Sequence, residues 1–279
     1  MRRRVLLLGI GALLLLMGTA LVACGDDDDD EGNGAATDTA GVKTLKPGTL
    51  LVGVDVPFPP FEQGRPPDYA GFEIDLTNEI AKRLGLQTEY KDTPFDTIFR
   101  DLALDKFDAA IAGSTITGER ERVVDFADPW FLSEQSLLVK EGGDIRTIED
   151  LAGKTVGVQK GTTGEDYVRE NADPGDLRSY PEIDDAFNAL VAGQVEAVMF
   201  DLPGTQEAAR TLDGLTVAQS YDTGEELAMA FAEDNDTLRE AANKTLGEIR
   251  QDGTFARFYR KWFRKDPPKK ILDATHSPS

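Results

Sequence analysis

Short apolar runs alternate along this chain with stretches whose apolar residues recur every three or four positions. The runs over 50–54, 107–112, 154–158 and 194–199 have the length and composition of buried strands. Between the first two, Leu76, Ile80 and Leu84, flanked by Ile74, Thr77 and Ala81, draw the stripe of a helix that stops at Gly85. Further helices are expected over about 96–104, 165–171, 184–192, 236–251 and 254–263, with a strand around Glu89 and Tyr90. Strand and helix in alternation argue for an open α/β sheet rather than a sandwich. Residues 106–111 and 194–199 echo one another as polar, apolar, acid, alanine, apolar, apolar, which points to two lobes of similar build.

The start of the chain has a different pattern. Arg2, Arg3 and Arg4 precede an apolar run and then small residues, the layout of an export signal over 1–23. Leu21, Val22, Ala23 and Cys24 resemble a bacterial lipobox, whose cysteine becomes the acylated first residue of the mature chain. Cys24 is the only cysteine, so an internal disulfide is impossible. Residues 24–43, rich in Asp, Gly, Ala and Thr, are expected to form a disordered tether. Their consecutive aspartates lack the alternating ligand spacing of a calcium loop.

Charge and composition then remove whole classes of function. Loss of the three signal arginines takes the formal charge from −21 to −24, which disfavours nucleic acid. His276 is the only histidine, so Ser-His-Asp and Cys-His sites and a histidine-rich metal site are excluded. Gly153-Lys154-Thr155 imitates the end of a phosphate loop, but Ile148 stands where that loop needs its first glycine.

The candidate chemistry lies at 108–120, DAAIAGSTITGER, a strand running into a hydroxyl-rich loop that is expected to open a helix. Gly113, Ser114, Thr115 and Thr117 offer N–H groups and hydroxyls to an anion, and Arg120, a turn further on, offers a planar fork suited to a carboxylate. In the echoing segment the corresponding turn carries Asp201. Open α/β sheets bind ligands at such carboxyl ends of strands.

Residues 71–84, GFEIDLTNEIAKRL, resemble the signature of the bacterial extracellular solute-binding proteins of family 3, which take up polar amino acids. The resemblance continues through AGSTITGERERVVDFADPW (112–130), KTVGVQKGTTGEDY (154–167) and DGTFARFYRKWF (252–263). It implies the type II periplasmic-binding-protein fold: lobe 1 over 44–132 plus 228–268, lobe 2 over 133–227, and a tail over 269–279. Two parallel-running crossings, at 133–139 and 226–232, would make a hinge that lets the lobes close. The basic, aromatic last helix is then expected to pack on lobe 1 rather than bind a membrane or nucleic acid.

The same resemblance assigns roles. Arg120 would pair a ligand carboxylate and Asp201, from the other lobe, its α-ammonium, with Gly113, Ser114, Thr115 and Thr163 around them. Phe58 and Phe95 would be aromatic walls, and Asp55 would touch the distal end of the ligand. Phe200 and Gln159 stand where glutamine-binding members carry histidine and lysine, which tilts the pocket slightly towards arginine or lysine, with glutamine the remaining alternative. The resemblance further implies a monomer without cofactor or metal, a polar L-amino acid ligand, ABC-transporter permease subunits as partners, and a lipid anchor in the membrane. The rival reading is an enzyme of the same fold, such as a cyclohexadienyl or arogenate dehydratase, which would need a poised acid in the cleft.

Overall fold

In a computed structural model, residues 41–277 are described; the expected signal, the expected lipidation site Cys24 and most of the expected tether lie outside them. The chain begins with β1 (Thr49–Val54), a hairpin of β2 (Gln63–Arg65) and β3 (Asp68–Ala70), then α1 (Phe72–Arg83) and β4 (Gln87–Asp92). Next come α2 (Phe95–Ala103), β5 (Ala109–Ala110) and β6 (Asp125–Phe126). The first sheet has the order β4-β1-β5, then a strand that returns from the second lobe, then β6. β1 pairs parallel with both β4 and β5, as strands joined by helical crossovers do.

β7 (Phe131–Lys140) leaves this sheet and enters a second, built with β8 (Thr155–Gln159), α3 (Thr163–Asn171), β9 (Asp176–Tyr180), α4 (Ile183–Val191), β10 (Ala197–Asp201), α5 (Leu202–Thr211) and β11 (Leu215–Leu227). Its order is β11-β7-β10-β8-β9. β12 (Ala230–Phe231) then lands antiparallel between β5 and β6 of the first sheet. The two crossing strands, β7 and β11, pair antiparallel rather than running parallel, from Leu215 beside Lys140 to Leu227 beside Phe131. The result is two α/β lobes joined by a two-stranded ribbon.

Local sequence explains the elements that carry the site. Gly71 stands at φ 149 before α1, where a Cβ would lie 1.8 Å from the Phe61 carbonyl oxygen, so only glycine lets the loop cross the helix start. Phe72 opens α1 and meets Phe255 and Tyr259 of α7 (Thr254–Phe263), each edge-on with ring centroids 5.7 Å apart. Burial of such rings stabilises by roughly 1.5–3 kcal/mol each, so α7 docks by its aromatic face. Its Lys261 and Trp262 both reach Asp75 of α1, at 2.6 and 2.7 Å. Among the described residues no helix is long and apolar enough to cross a membrane.

One expected element differs. The loop after β5 does not open a helix; it makes a single 3-10 turn, Arg120–Arg122, before β6. Gly118 ahead of it and the β-branched Val123 and Val124 after it give an α-helix little support.

Candidate functional site

The carboxyl ends of β1, β5, β8 and β10 converge on one cavity between the lobes. Asp55, Phe58, Phe95, Gly113, Thr115, Arg120, Gln159, Thr163, Phe200 and Asp201 all line it, with Ala112 and Thr162. Ser114 does not: it is wholly buried and its carbonyl accepts from the Ala228 N–H at 3.0 Å. In this loop Ala112, Gly113 and Thr115 face the cleft while Ser114 is turned inward.

Arg120 sits over two rings, its guanidinium carbon 5.0 Å from the centre of Phe95 and 4.8 Å from that of Phe99. Nη1 donates to the Thr115 carbonyl at 2.7 Å and Nη2 to the Gly161 carbonyl of the other lobe at 3.2 Å. Burial lowers its pKa to about 10, against the pull of Glu225 and Asp201. The fork therefore keeps donors for an anion.

Asp201 is held from the hinge. Oδ2 accepts from Ser133 Oγ at 2.7 Å and Oδ1 from Gln135 Nε2 at 2.9 Å. Burial, reinforced by Glu225, pushes its carboxyl up to about 7. At the far end, Asp55 Oδ2 accepts from Gln159 Nε2 at 2.7 Å, and Oδ1 is buried with no partner among the described residues. Burial pushes Asp55 up to about 8, helped by Glu182 and Asp92.

Three expected contacts are redirected. The Gly113 N–H donates inward to Glu73 Oε2 at 3.0 Å and is not free for a ligand. The hydroxyls of Thr115 and Thr163, from opposite lobes, both donate to Glu225 Oε2, at 2.7 and 2.9 Å. Glu225, Gln135 and Ser133 are the functional neighbours that motif reading missed. The pairing of β10 with β7 sets Gln135 opposite Asp201, that of β7 with β11 sets Glu225 opposite Ser133, and nothing local in the sequence signals either.

The cavity measures about 10 Å³, no more than one water's worth, so the lobes are closed on one another. Phe58 lies edge-on to Phe200 at 4.9 Å, and Lys160 reaches Asp96 at 2.8 Å across the cleft. A larger groove of about 210 Å³ runs between Phe58 and α4–α5, but it gathers no buried opposite charges. Among the described residues no cluster of His, Cys, Asp and Glu could hold a metal ion.

A sequence profile of the bacterial extracellular solute-binding proteins, family 3, matches residues 50–265. The chain belongs to this family. This solute-binding protein is 34% identical over 266 residues to the L-cystine-binding protein TcyJ of Escherichia coli K12, covering 94% of this chain and 98% of TcyJ. An ancestral arginine-binding protein bound to glutamine superposes with a TM-score of 0.76 at 39% identity, over 79% of this chain and all of that one. The ancestral amino acid-binding protein AncCDT-1, a precursor of cyclohexadienyl dehydratase, gives 0.72 at 35% identity, over 77% and 96%.

Proposed function

We propose that this solute-binding protein captures a cationic polar L-amino acid, arginine or lysine, between its lobes and hands it to the permease of an ABC importer, performing no chemistry. The observation that carries this reading is the pair Arg120 and Asp201. They are a buried guanidinium and a buried carboxyl from different lobes, facing one cavity. A free amino acid presents a carboxylate and an ammonium on one carbon, so it would satisfy both at once and hold the lobes shut. Phe58 and Phe95 would flank its aliphatic part, and Asp55, with an unpartnered oxygen, would receive the distal cation. With only about 10 Å³ free, the ligand enters by opening of the hinge.

L-glutamine is the second reading, favoured by one contact. The Gln159 carboxamide already donates to Asp55 at 2.7 Å, and a ligand amide could take its place. The dehydratase reading is less well supported, because the amino-acid reading gives each acid lining the cleft, Asp55 and Asp201, a ligand charge to pair with and leaves neither as a poised general acid. Acylation at Cys24 would tether the chain outside the cytoplasm; mass spectrometry of the mature amino terminus tests it.

The deciding experiment is thermal unfolding of residues 41–279 against each of the twenty amino acids, with Arg120→Ala and Asp201→Ala beside the parent. A ligand that binds only the folded state adds about 2.7 kcal/mol at a hundred times its dissociation constant. The expected result is a shift with arginine or lysine that both variants lose. A shift with none of the twenty would overturn the reading.

A further inference from the structure

The family match ends at residue 265, yet the chain beyond it is packed against lobe 1. The short helix α8 (Lys269–Leu272) buries Ile271 completely, and Lys270 Nζ lies 3.1 Å from Glu226 Oε1 at the hinge end of β11. From there the tail runs to the segment that carries Arg120. Arg250 of α6 (Asp236–Gln251) joins the two, donating from Nη1 to the Ala274 carbonyl at 2.8 Å and from Nη2 to the Pro129 carbonyl at 2.7 Å. The His276 N–H donates to Asp128 Oδ1 at 2.8 Å, and His276 Nε2 meets Glu121 Oε1 at 2.8 Å. These last two side chains are only 16% and 11% exposed, so the contact is shielded from water.

The Arg120 guanidinium is held by the Thr115 and Gly161 carbonyls, but the backbone that carries it has little support of its own. Its 3-10 turn is three residues long and is closed by short-range bonds, from the Glu121 N–H to the Thr117 carbonyl, from the Arg122 N–H to the Glu119 carbonyl, and from the Val123 and Val124 N–H groups to the Arg120 carbonyl. α6 holds the far side, where the Asn243 amide oxygen accepts from the Asp128 N–H and Arg239 lies 3.8 Å from Asp125. On the near side Glu121, the residue next to Arg120, is met by His276.

We propose that residues 267–277 are a brace that sets the position of Arg120, with His276 as a positioning residue acting through Glu121 and Asp128. The brace touches no ligand. Its effect on affinity rests on the amino-acid reading above, whereas its effect on the turn does not.

Two measurements on the chain from residue 41 separate these. The variants are His276→Ala and a chain stopped after Leu272, which keeps Ile271. Amide exchange over 120–128 in the free protein should quicken by about tenfold in both. The dissociation constant for L-arginine should rise about three- to tenfold, chiefly through faster release, with the unfolding midpoint of the free protein little changed. His276→Gln, which keeps a side-chain donor for Glu121, should restore both readouts in part. Unchanged exchange over 120–128 would overturn the brace, and so would unchanged L-arginine affinity alongside faster exchange. Should the parent chain not bind L-arginine, the ligand reading fails and the exchange result alone decides the brace.

Discussion

Gln159 Nε2 of the second lobe donates to Asp55 Oδ2 of the first at 2.7 Å, so in the closed cleft a neutral amide occupies one oxygen of a buried acid and leaves the other without a donor. Asp55 is pushed up to about 8 and Asp201 to about 7, so both carboxyls hold protons at pH 6 in the closed, ligand-free form. An incoming cation would displace those protons. Binding of L-arginine at pH 6 is therefore expected to release protons, and affinity should climb with pH and level off above about 8. Calorimetry in two buffers of different ionisation enthalpy counts them; proton uptake would contradict the assignment. The sign for the free closed form is opposite. An unfolded carboxyl loses its proton near pH 4, so stability of that form falls as pH rises from about 4 towards 8.

Asp55→Asn follows from the same contact. Removing one partner of a buried charge pair costs about 2–5 kcal/mol, so L-arginine should bind some thirtyfold or more weakly. L-glutamine should lose much less, because an amide needs only an acceptor and asparagine keeps one. Titration with both amino acids makes the comparison, and equal losses would place the distal contact elsewhere.

Gly204 of α5 and Phe58 of the first lobe approach so closely that a Cβ at Gly204 would lie 2.9 Å from the rings of both Phe58 and Phe200. The overlap with Phe58 exists only when the lobes are closed, whereas that with Phe200, on the same lobe as Gly204, persists when they open. Gly204→Ala is expected to cost the closed state about 1–3 kcal/mol and weaken binding about tenfold. The free protein should show a larger radius of gyration by small-angle scattering, with its unfolding midpoint lowered modestly by the contact with Phe200. An unchanged affinity would mean that Phe58 moves aside at little cost.

How much of this was legible follows from what each feature depends on. β1, β4, β5 and α1 announce themselves by local pattern, and the ligand-facing ends of β5 and β10 by an echo in sequence, whereas β6, two residues long, gives no local signal. Arg120 and Asp201 were readable from the family resemblance, and the geometry brings them to one cavity. Ser114 was misread because a hydroxyl in a loop gives no sign of its face, which the exit of β5 decides. Glu225 was invisible because its role depends on β11 lying beside β7, a pairing between residues about ninety positions apart. The 3-10 turn was taken for a helix start because its support is tertiary, from α6 and the tail rather than from its own sequence.

The acids Glu62 and Glu73 give the last prediction. Both are wholly buried, and Glu73 accepts from Trp130 Nε1 at 2.8 Å and from the Gly113 N–H at 3.0 Å. Neither oxygen of Glu62 has a donor among the described residues, while burial and the neighbouring Glu73 hold its carboxyl well above the usual range. The two acids are satisfied together only if one carries a proton between them, and Glu62 is the one placed to keep it. A folded-state pKa raised above the unfolded value makes stability greatest in acid and lets it fall as pH rises past the unfolded value of about 4.3. Glu62→Gln removes that titration and supplies a permanent donor to Glu73. Its unfolding midpoint should equal or exceed the parent's at pH 8 and lose part of the parent's decline between pH 5 and 8. Glu73→Ala leaves the Trp130 and Gly113 N–H groups without acceptors and should cost about 2–6 kcal/mol. Denaturant unfolding at pH 5 and pH 8 measures both variants. A Glu62→Gln protein less stable than the parent at pH 8 would show that Glu62 is ionised in the fold.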